Sequence, residues 1–321
     1  MQSQSYNPLV HRFAVATASM ALVPIAVGAV VTTLGAGMAF PDWPSSDGHS
    51  MLAYPWLESV GHKFVEHGHR LAGMAIGIVS IGFAFVALLC EKRRWAKFAA
   101  FGVLLAVIAQ GLLGGQRVLS DARQLAMLHG SLAALVFALM GSVALVTSRG
   151  WWNPPLSSSD QDVAWMKPLA LATPVVIFGQ YLLGGALRHL GHALYEHAGL
   201  AFVVLVFVVG TWIAARRSGI AWLRRSGNLL LTIAILQISL GLGAWATKFG
   251  LASLGYVAVQ HSTLQVLVRT SHTVVGMMLF MSAVVFALRV LRVIHWQQHG
   301  NRSIAAPSEF ISPVVSNGGA V

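Results

Sequence analysis

Residues 64–90 read FVEHGHRLAGMAIGIVSIGFAFVALLC, and from Leu71 to Cys90 this stretch carries no charged side chain. A helix rises about 1.5 Å per residue, so roughly 20 such residues cross the ~30 Å apolar core of a bilayer. Yet the stretch opens on Glu66-His67-Gly68-His69-Arg70, the densest polar cluster in the chain. An ionisable group inside a span costs free energy unless it finds a partner, which makes it a functional candidate. The stretch predicts a membrane helix with chemistry at its entrance.

Seven further apolar runs, near 13–36, 97–117, 124–147, 167–187, 194–215, 224–246 and 261–291, are long enough to span as well. Of the 321 residues 56% are hydrophobic and 10% charged, whereas soluble domains carry about 25% charged residues. The expected fold class is an all-α integral membrane protein with eight transmembrane helices in two pseudo-symmetric four-helix bundles. The first run is too long for a signal-peptide core and reads as a retained anchor rather than a transit peptide. The single cysteine, Cys90, excludes an intramolecular disulfide and any cysteine-based zinc or iron–sulfur site. The net charge of +11 lies in short clusters between apolar runs, without interleaved aromatics, which argues against nucleic acid as a partner.

Basic residues set the orientation. Arg12, Lys92, Arg93, Arg94, Lys97, Arg149, Lys167, Arg216, Arg217, Arg224, Arg225, Arg289, Arg292 and Arg302 fall on the side of the N-terminus, 14 of the 21 Lys and Arg. Both termini are expected in the cytoplasm. Histidine is biased the other way: ten of 13 lie on the outer side, and only His11, His295 and His299 inside. The chemistry is expected in the outer half.

A polar segment, 148–166, separates two sets of four spans. The expected organisation is an N-terminal half over 1–147, this linker, a C-terminal half over 167–299 and a disordered tail over 300–321. The halves echo one another: Gln110-Gly-Leu-Leu-Gly-Gly resembles Gln180-Tyr-Leu-Leu-Gly-Gly, and Gln237-Ile-Ser-Leu-Gly-Leu-Gly is a looser third copy. An even number of spans before the linker makes this a parallel repeat. Close packing of small residues accounts for the glycines but not for the histidines.

One histidine falls near the outer start of each even-numbered span: His69, His129, His197 and His272. Their matching depth suggests two bis-histidine sites, His69 with His129 and His197 with His272, and the usual guest of such a site is heme. His67 stands two residues from His69 and points roughly 200° away, so one iron cannot use both. Glu66 shares a face with His69, where a carboxylate could donate or accept protons; the blander role is to complement the helix dipole. In the sixth span His192, and His189 nearby, compete with His197, which its Glu-His context favours. His261 reads as interfacial, and His49 and His62 as solvated. Arg70, Arg117, Arg188 and Arg269 sit at the outer ends of spans, placed either to pair with heme propionates or to snorkel to the headgroups. The first outer loop, 37–62, is long enough to cover a pocket mouth.

These residues together resemble the heme A synthase family. Its Glu-x-x-His-Arg hallmark is matched by Glu66-His67-Gly68-His69-Arg70. Thr32-Thr-Leu-Gly-Ala-Gly-Met-Ala-Phe-Pro-Asp-Trp-Pro looks like the family's stretch after its first helix, and His129 and His272 fall at the fourth- and eighth-helix positions. The chain departs from many bacterial members in lacking an outer-loop cysteine pair, and the surroundings of His197 match poorly, as in a divergent branch. The resemblance implies oxidation of the C8 methyl of heme O to the formyl of heme A, by two hydroxylations and loss of water. It implies substrate heme O in the N-terminal half, with Glu66 in proton handling, and heme b between His197 and His272 passing electrons. It also implies the bacterial inner membrane, with a heme O synthase as a candidate partner and a homo-oligomer as a candidate assembly. A di-heme membrane cytochrome linked to quinol would share the four histidines without requiring Glu66. A transporter with parallel repeats fits less well, because the polar groups cluster at one side rather than at the midplane.

Overall fold

The computed structural model describes residues 6–152, 154 and 162–304. Among the described residues, eight helices are long and apolar enough to cross a membrane. They are α1 (Pro8–Leu34), α2 (Gly61–Cys90), α3 (Arg94–Leu119), α4 (Arg123–Thr147), α5 (Lys167–His189), α6 (Leu194–Arg217), α7 (Ala221–Phe249) and α8 (Thr263–Ile304).

The ends of these helices follow local chemistry that apolar windows miss. α1 begins at Pro8 rather than near residue 13 because Asn7 caps it. The Asn7 side chain accepts from the backbone N–H of Leu9 at 3.1 Å and of Val10 at 3.2 Å, and proline suits the first helical position. The same side chain donates to the Cys90 carbonyl at 2.7 Å, tying the start of α1 to the end of α2. Gly35, in a left-handed conformation at φ 68°, ends α1. α8 runs on through its polar end to Ile304, so residues 300–304 are helical where a disordered tail was expected. Residues 305–321 lie outside the described residues. Within the linker, Arg149–Trp152 forms one helical turn and Ala164–Met166 a 3-10 turn; residues 153 and 155–161 lie outside the description.

In the first four helices α1 packs on α2, α2 on α3, α3 on α4, and α4 back on α1. In the last four, α5 packs on α6, α6 on α7, α7 on α8, and α8 back on α5. The two rings meet through α4 against α8, α1 against α8, and α4 against α5. The close-packed core, including Val10, Phe83, Val103, Phe137, Leu230 and Phe280, lies toward the end of the bundles that bears the N-terminus. Met166, Leu223, Phe286 and Val290 close that end of the second ring. The four histidines stand toward the opposite end, where the helices enclose polar groups instead.

At the α4–α8 crossing, Gly141 lets the helices approach: a Cβ there would stand 2.6 Å from the Cγ and Sδ of Met281. Gly141→Val should therefore overpack the seam and cost about 1–3 kcal/mol. Gly102, around which a Cβ would meet no heavy atom within 4 Å, should accept alanine with unchanged or slightly higher stability. Thermal unfolding in detergent compares the two; an equal Tm for Gly141→Val and wild type would mean the seam is loose.

Two candidate histidine sites

α2 and α4 bring His69 and His129 together, with ring centres 6.4 Å apart and planes at 87°. α6 and α8 do the same for His197 and His272, at 6.3 Å and 86°. An imidazole nitrogen binds a metal at about 2 Å, so two imidazoles on opposite sides of one metal place their centres roughly 6.3 Å apart. Both pairs have that spacing. Among the described residues no group of three or more His, Cys, Asp or Glu converges as a bare metal ion would need. A pair of imidazoles without a third protein ligand suits an iron that brings its other four ligands with it, as heme does.

Each ring rests against a glycine of the preceding helix. A Cβ on Gly28 would lie 2.7 Å from Cε1 of His69, and one on Gly114 2.9 Å from Cε1 of His129. The matching distances are 3.0 Å for Gly184 against His197 and 3.1 Å for Gly241 against His272. In three cases a glutamine one turn earlier in the same helix reaches the same histidine. The Gln110 amide donates to the His129 carbonyl at 2.9 Å and lies 3.2 Å from its Nδ1. The Gln180 amide donates to the His197 carbonyl at 2.8 Å, and the Gln180 backbone carbonyl lies 3.2 Å from His197 Nδ1. The Gln237 carbonyl lies 3.3 Å from His272 Nδ1. A carbonyl that accepts from Nδ1–H fixes the tautomer and leaves Nε2 as the metal-binding nitrogen.

The Gln-x-x-x-Gly repeats are thus the seats of the histidines, a role that sequence reasoning missed. Glutamine and glycine four residues apart share a helix face, and that spacing was the available signal. The fourth seat, Gly28, has Pro24 at the glutamine position.

The first loop is pinned to the first ring by residues also expected at a heme edge. Glu66, 4% exposed, accepts from the backbone N–H of Ala39 at 2.6 Å and of Phe40 at 3.3 Å, and from Arg70 at 2.9 Å. Arg70 also donates to the carbonyls of Asp42 (2.9 Å) and Ser45 (2.6 Å) and lies over the Phe40 ring. Arg117 donates to the Gly37 carbonyl. His67 lies buried on the other side of α2 from His69, 3.0 Å from the Ser46 hydroxyl and packed on Tyr54. Within the loop, partial burial pushes the Asp42 carboxyl upward. The backbone N–H groups of Gly48 and Asp47 and the Ser45 hydroxyl outweigh that and hold it at about 2.

The second ring differs. Arg188 donates to Thr273, Ala29 and Thr33. Arg269 and Lys248 lie close enough to repel Arg188, and none of the three forms an ion pair among the described residues. Lys248 was not singled out from sequence, because one lysine at a helix end has no distinguishing pattern. His192 is exposed in the turn before α6, and it is His197 that faces His272. His189 ends α5 beside Gly130 of α4. His49, His62 and His261 are exposed at the loop ends.

Residues 11–198 match the family described as COX15-CtaA, cytochrome oxidase assembly protein. The chain is 30% identical over 141 residues to a heme A synthase of Methylobacterium radiotolerans, covering 41% of this chain and 38% of that protein. It is 32% identical over 190 residues to one of Symbiobacterium thermophilum, covering 56% and 59%. For one of Shewanella oneidensis the identity is 27% over 215 residues, covering 60% and 58%. The matched stretches thus span between about two-fifths and three-fifths of these relatives. The family match takes in His69, His129 and His197 but ends well before His272.

Proposed function

Because the chain belongs to the COX15-CtaA family of cytochrome oxidase assembly proteins, we propose that it is a heme A synthase, oxidising a methyl group of heme O to a formyl group. The observation that carries this reading is the two histidine pairs, at 6.4 and 6.3 Å, each spaced for one iron. In this reading His69 and His129 hold the substrate heme O in the first ring, and His197 and His272 hold heme b in the second. When bound, heme b supplies one-electron transfer, and the protein supplies placement.

The residues around the pairs divide that work. Gly28, Gly114, Gly184 and Gly241 let each ring approach its neighbouring helix, and the carbonyls of Gln180 and Gln237 hold the second-ring imidazoles at Nδ1. Arg269 and Lys248, cations without an ion-pair partner among the described residues, form an edge suited to propionates, because their like charges are relieved by bound carboxylates. In the first ring Arg70 and Arg117 serve through the loop they hold.

Glu66 carries hydrogen bonds on both carboxylate oxygens, which suits it to keeping the loop closed beside His69. Breaking one partner of a buried pair costs about 3–5 kcal/mol, because the other charge is left uncompensated. Glu66→Gln and Arg70→Gln should then depress heme A to a similar extent while heme b binding persists. A far deeper loss in Glu66→Gln than in Arg70→Gln would give Glu66 a proton-transfer role instead.

The basic asymmetry supports both termini in the cytoplasm and the histidines toward the outer face of a bacterial inner membrane. The test of the whole reading is expression beside a heme O synthase, with chromatography of the extracted hemes. Heme A plus heme b is the expected result. Two hemes b without heme A would identify a di-heme cytochrome, and no heme at all would remove the reading.

A further inference from the structure

Side chains of α5 touch the surroundings of all four histidines. Gln180 and Gly184 seat His197 directly. The Tyr181 hydroxyl donates to the Gly130 carbonyl at 3.4 Å, one residue beyond His129 in α4. Arg188 reaches farther. Its Nη2 donates to the Ala29 carbonyl at 2.6 Å and to Thr33 Oγ1 at 2.9 Å, both in α1. Its Nη1 donates to Thr273 Oγ1 at 2.9 Å in α8. Ala29 follows Gly28, the seat of His69, and Thr273 follows His272.

We propose that Arg188 is a positioning residue that couples the two histidine pairs, holding the α1 seat of His69 and the α8 turn of His272 in one register. The inference rests on the proposed function for its heme readout but not for its geometry. A guanidinium is a planar fork with fixed donor directions, so bonds to two helices from its two ends set their relative height and rotation. A lysine ammonium, a single point charge, cannot span both. A snorkelling arginine would send these donors to headgroups, and one reserved for a propionate would keep them free. Here both Nη atoms are committed to acceptors on α1 and α8. Thr33 also donates to the Ala29 carbonyl at 2.8 Å, which locks the α1 arm. Coupling of this kind is a shared element biased from two sides, and it is reciprocal.

The test uses the full-length protein and the redox midpoint of the heme between His197 and His272. Thr33→Val weakens the α1 arm by removing its hydroxyl acceptor and leaving the Ala29 carbonyl, and Thr273→Val removes the α8 arm, each with little change of volume. Although Thr33 touches neither second-ring histidine, its valine variant should shift that midpoint in the same direction as Thr273→Val. The double variant should shift it by less than the two single shifts combined, because both act through one guanidinium. Arg188→Lys should not restore the wild-type value. Thr17→Val, which removes a buried α1 hydroxyl bonded to its own helix at the Phe13 carbonyl, should leave the midpoint alone. A midpoint unmoved by Thr33→Val, or moved equally by Thr17→Val, overturns the coupling. A protein that binds no heme would count against the proposed function instead. Amide exchange across 270–276 would then decide the coupling: faster exchange in Thr33→Val sustains it, and unchanged exchange overturns it.

Discussion

His272→Ala should purify without heme b, its low-spin bis-histidine spectrum abolished. The variant removes one of two imidazoles whose centres stand 6.3 Å apart, and His197 alone leaves one face of the iron without a protein ligand. Neither nearby loop histidine stands in position to replace it: His261 lies exposed in the loop before α8, and His192 is exposed before α6. The contrast with His192→Ala is the informative one. That variant should retain the full spectrum, since its side chain stands outside the pair. In His129→Ala the second ring is untouched, so heme b should remain while heme A production stops. Optical spectra and extracted-heme analysis of the three variants check these expectations together. A His272→Ala protein with wild-type heme b would sink the second-ring assignment.

Gly28→Val should abolish heme A formation with every histidine still in place. A Cβ at residue 28 would lie 2.7 Å from Cε1 of the His69 ring, closer than real Cβ contacts come, and 3.1 Å from its Nδ1, which is tight. A rigid aromatic ring cannot yield as a flexible side chain does, and valine adds two methyl groups beyond the Cβ. The ring must swing off its position, and a displacement near 1 Å can cost on the order of 100-fold in rate. Heme b in the second ring should persist, which separates the effect from misfolding. Gly111→Val is the matched control, because a Cβ there meets no heavy atom within 4 Å. It should produce heme A near the wild-type level. Comparable heme A from Gly28→Val would mean that the seat is loose and that His69 is positioned by other contacts.

Span number was legible because it depends on local composition: a run such as Leu71–Cys90 is apolar whatever surrounds it. Pairing of histidines was legible for a related reason. One histidine at similar depth on every second span leaves few ways for a bundle of antiparallel neighbours to arrange them. The separation of His67 from His69 followed from helix periodicity alone. Helix ends were less visible where a cap rather than hydrophobicity sets them, as at Asn7, or where a polar sequence stays helical, as at residues 300–304.

What each polar group holds was decided only by the tertiary structure. Arg70, Arg117 and Arg188 are alike in sequence, each at the end of a span. In the fold, Arg70 and Arg117 fasten the first loop, and Arg188 crosses to a helix 159 residues away. The Gln-x-x-x-Gly repeats were visible, but nothing local indicated that the next helix would lay an imidazole against each glycine. Hydrophobic length and periodicity are properties of a segment, so the sequence by itself determined the spans and the faces of their histidines. Seats, clamps and the partners of buried cations are properties of two segments in contact. They exist only once packing has chosen which helices are neighbours and at what height they cross.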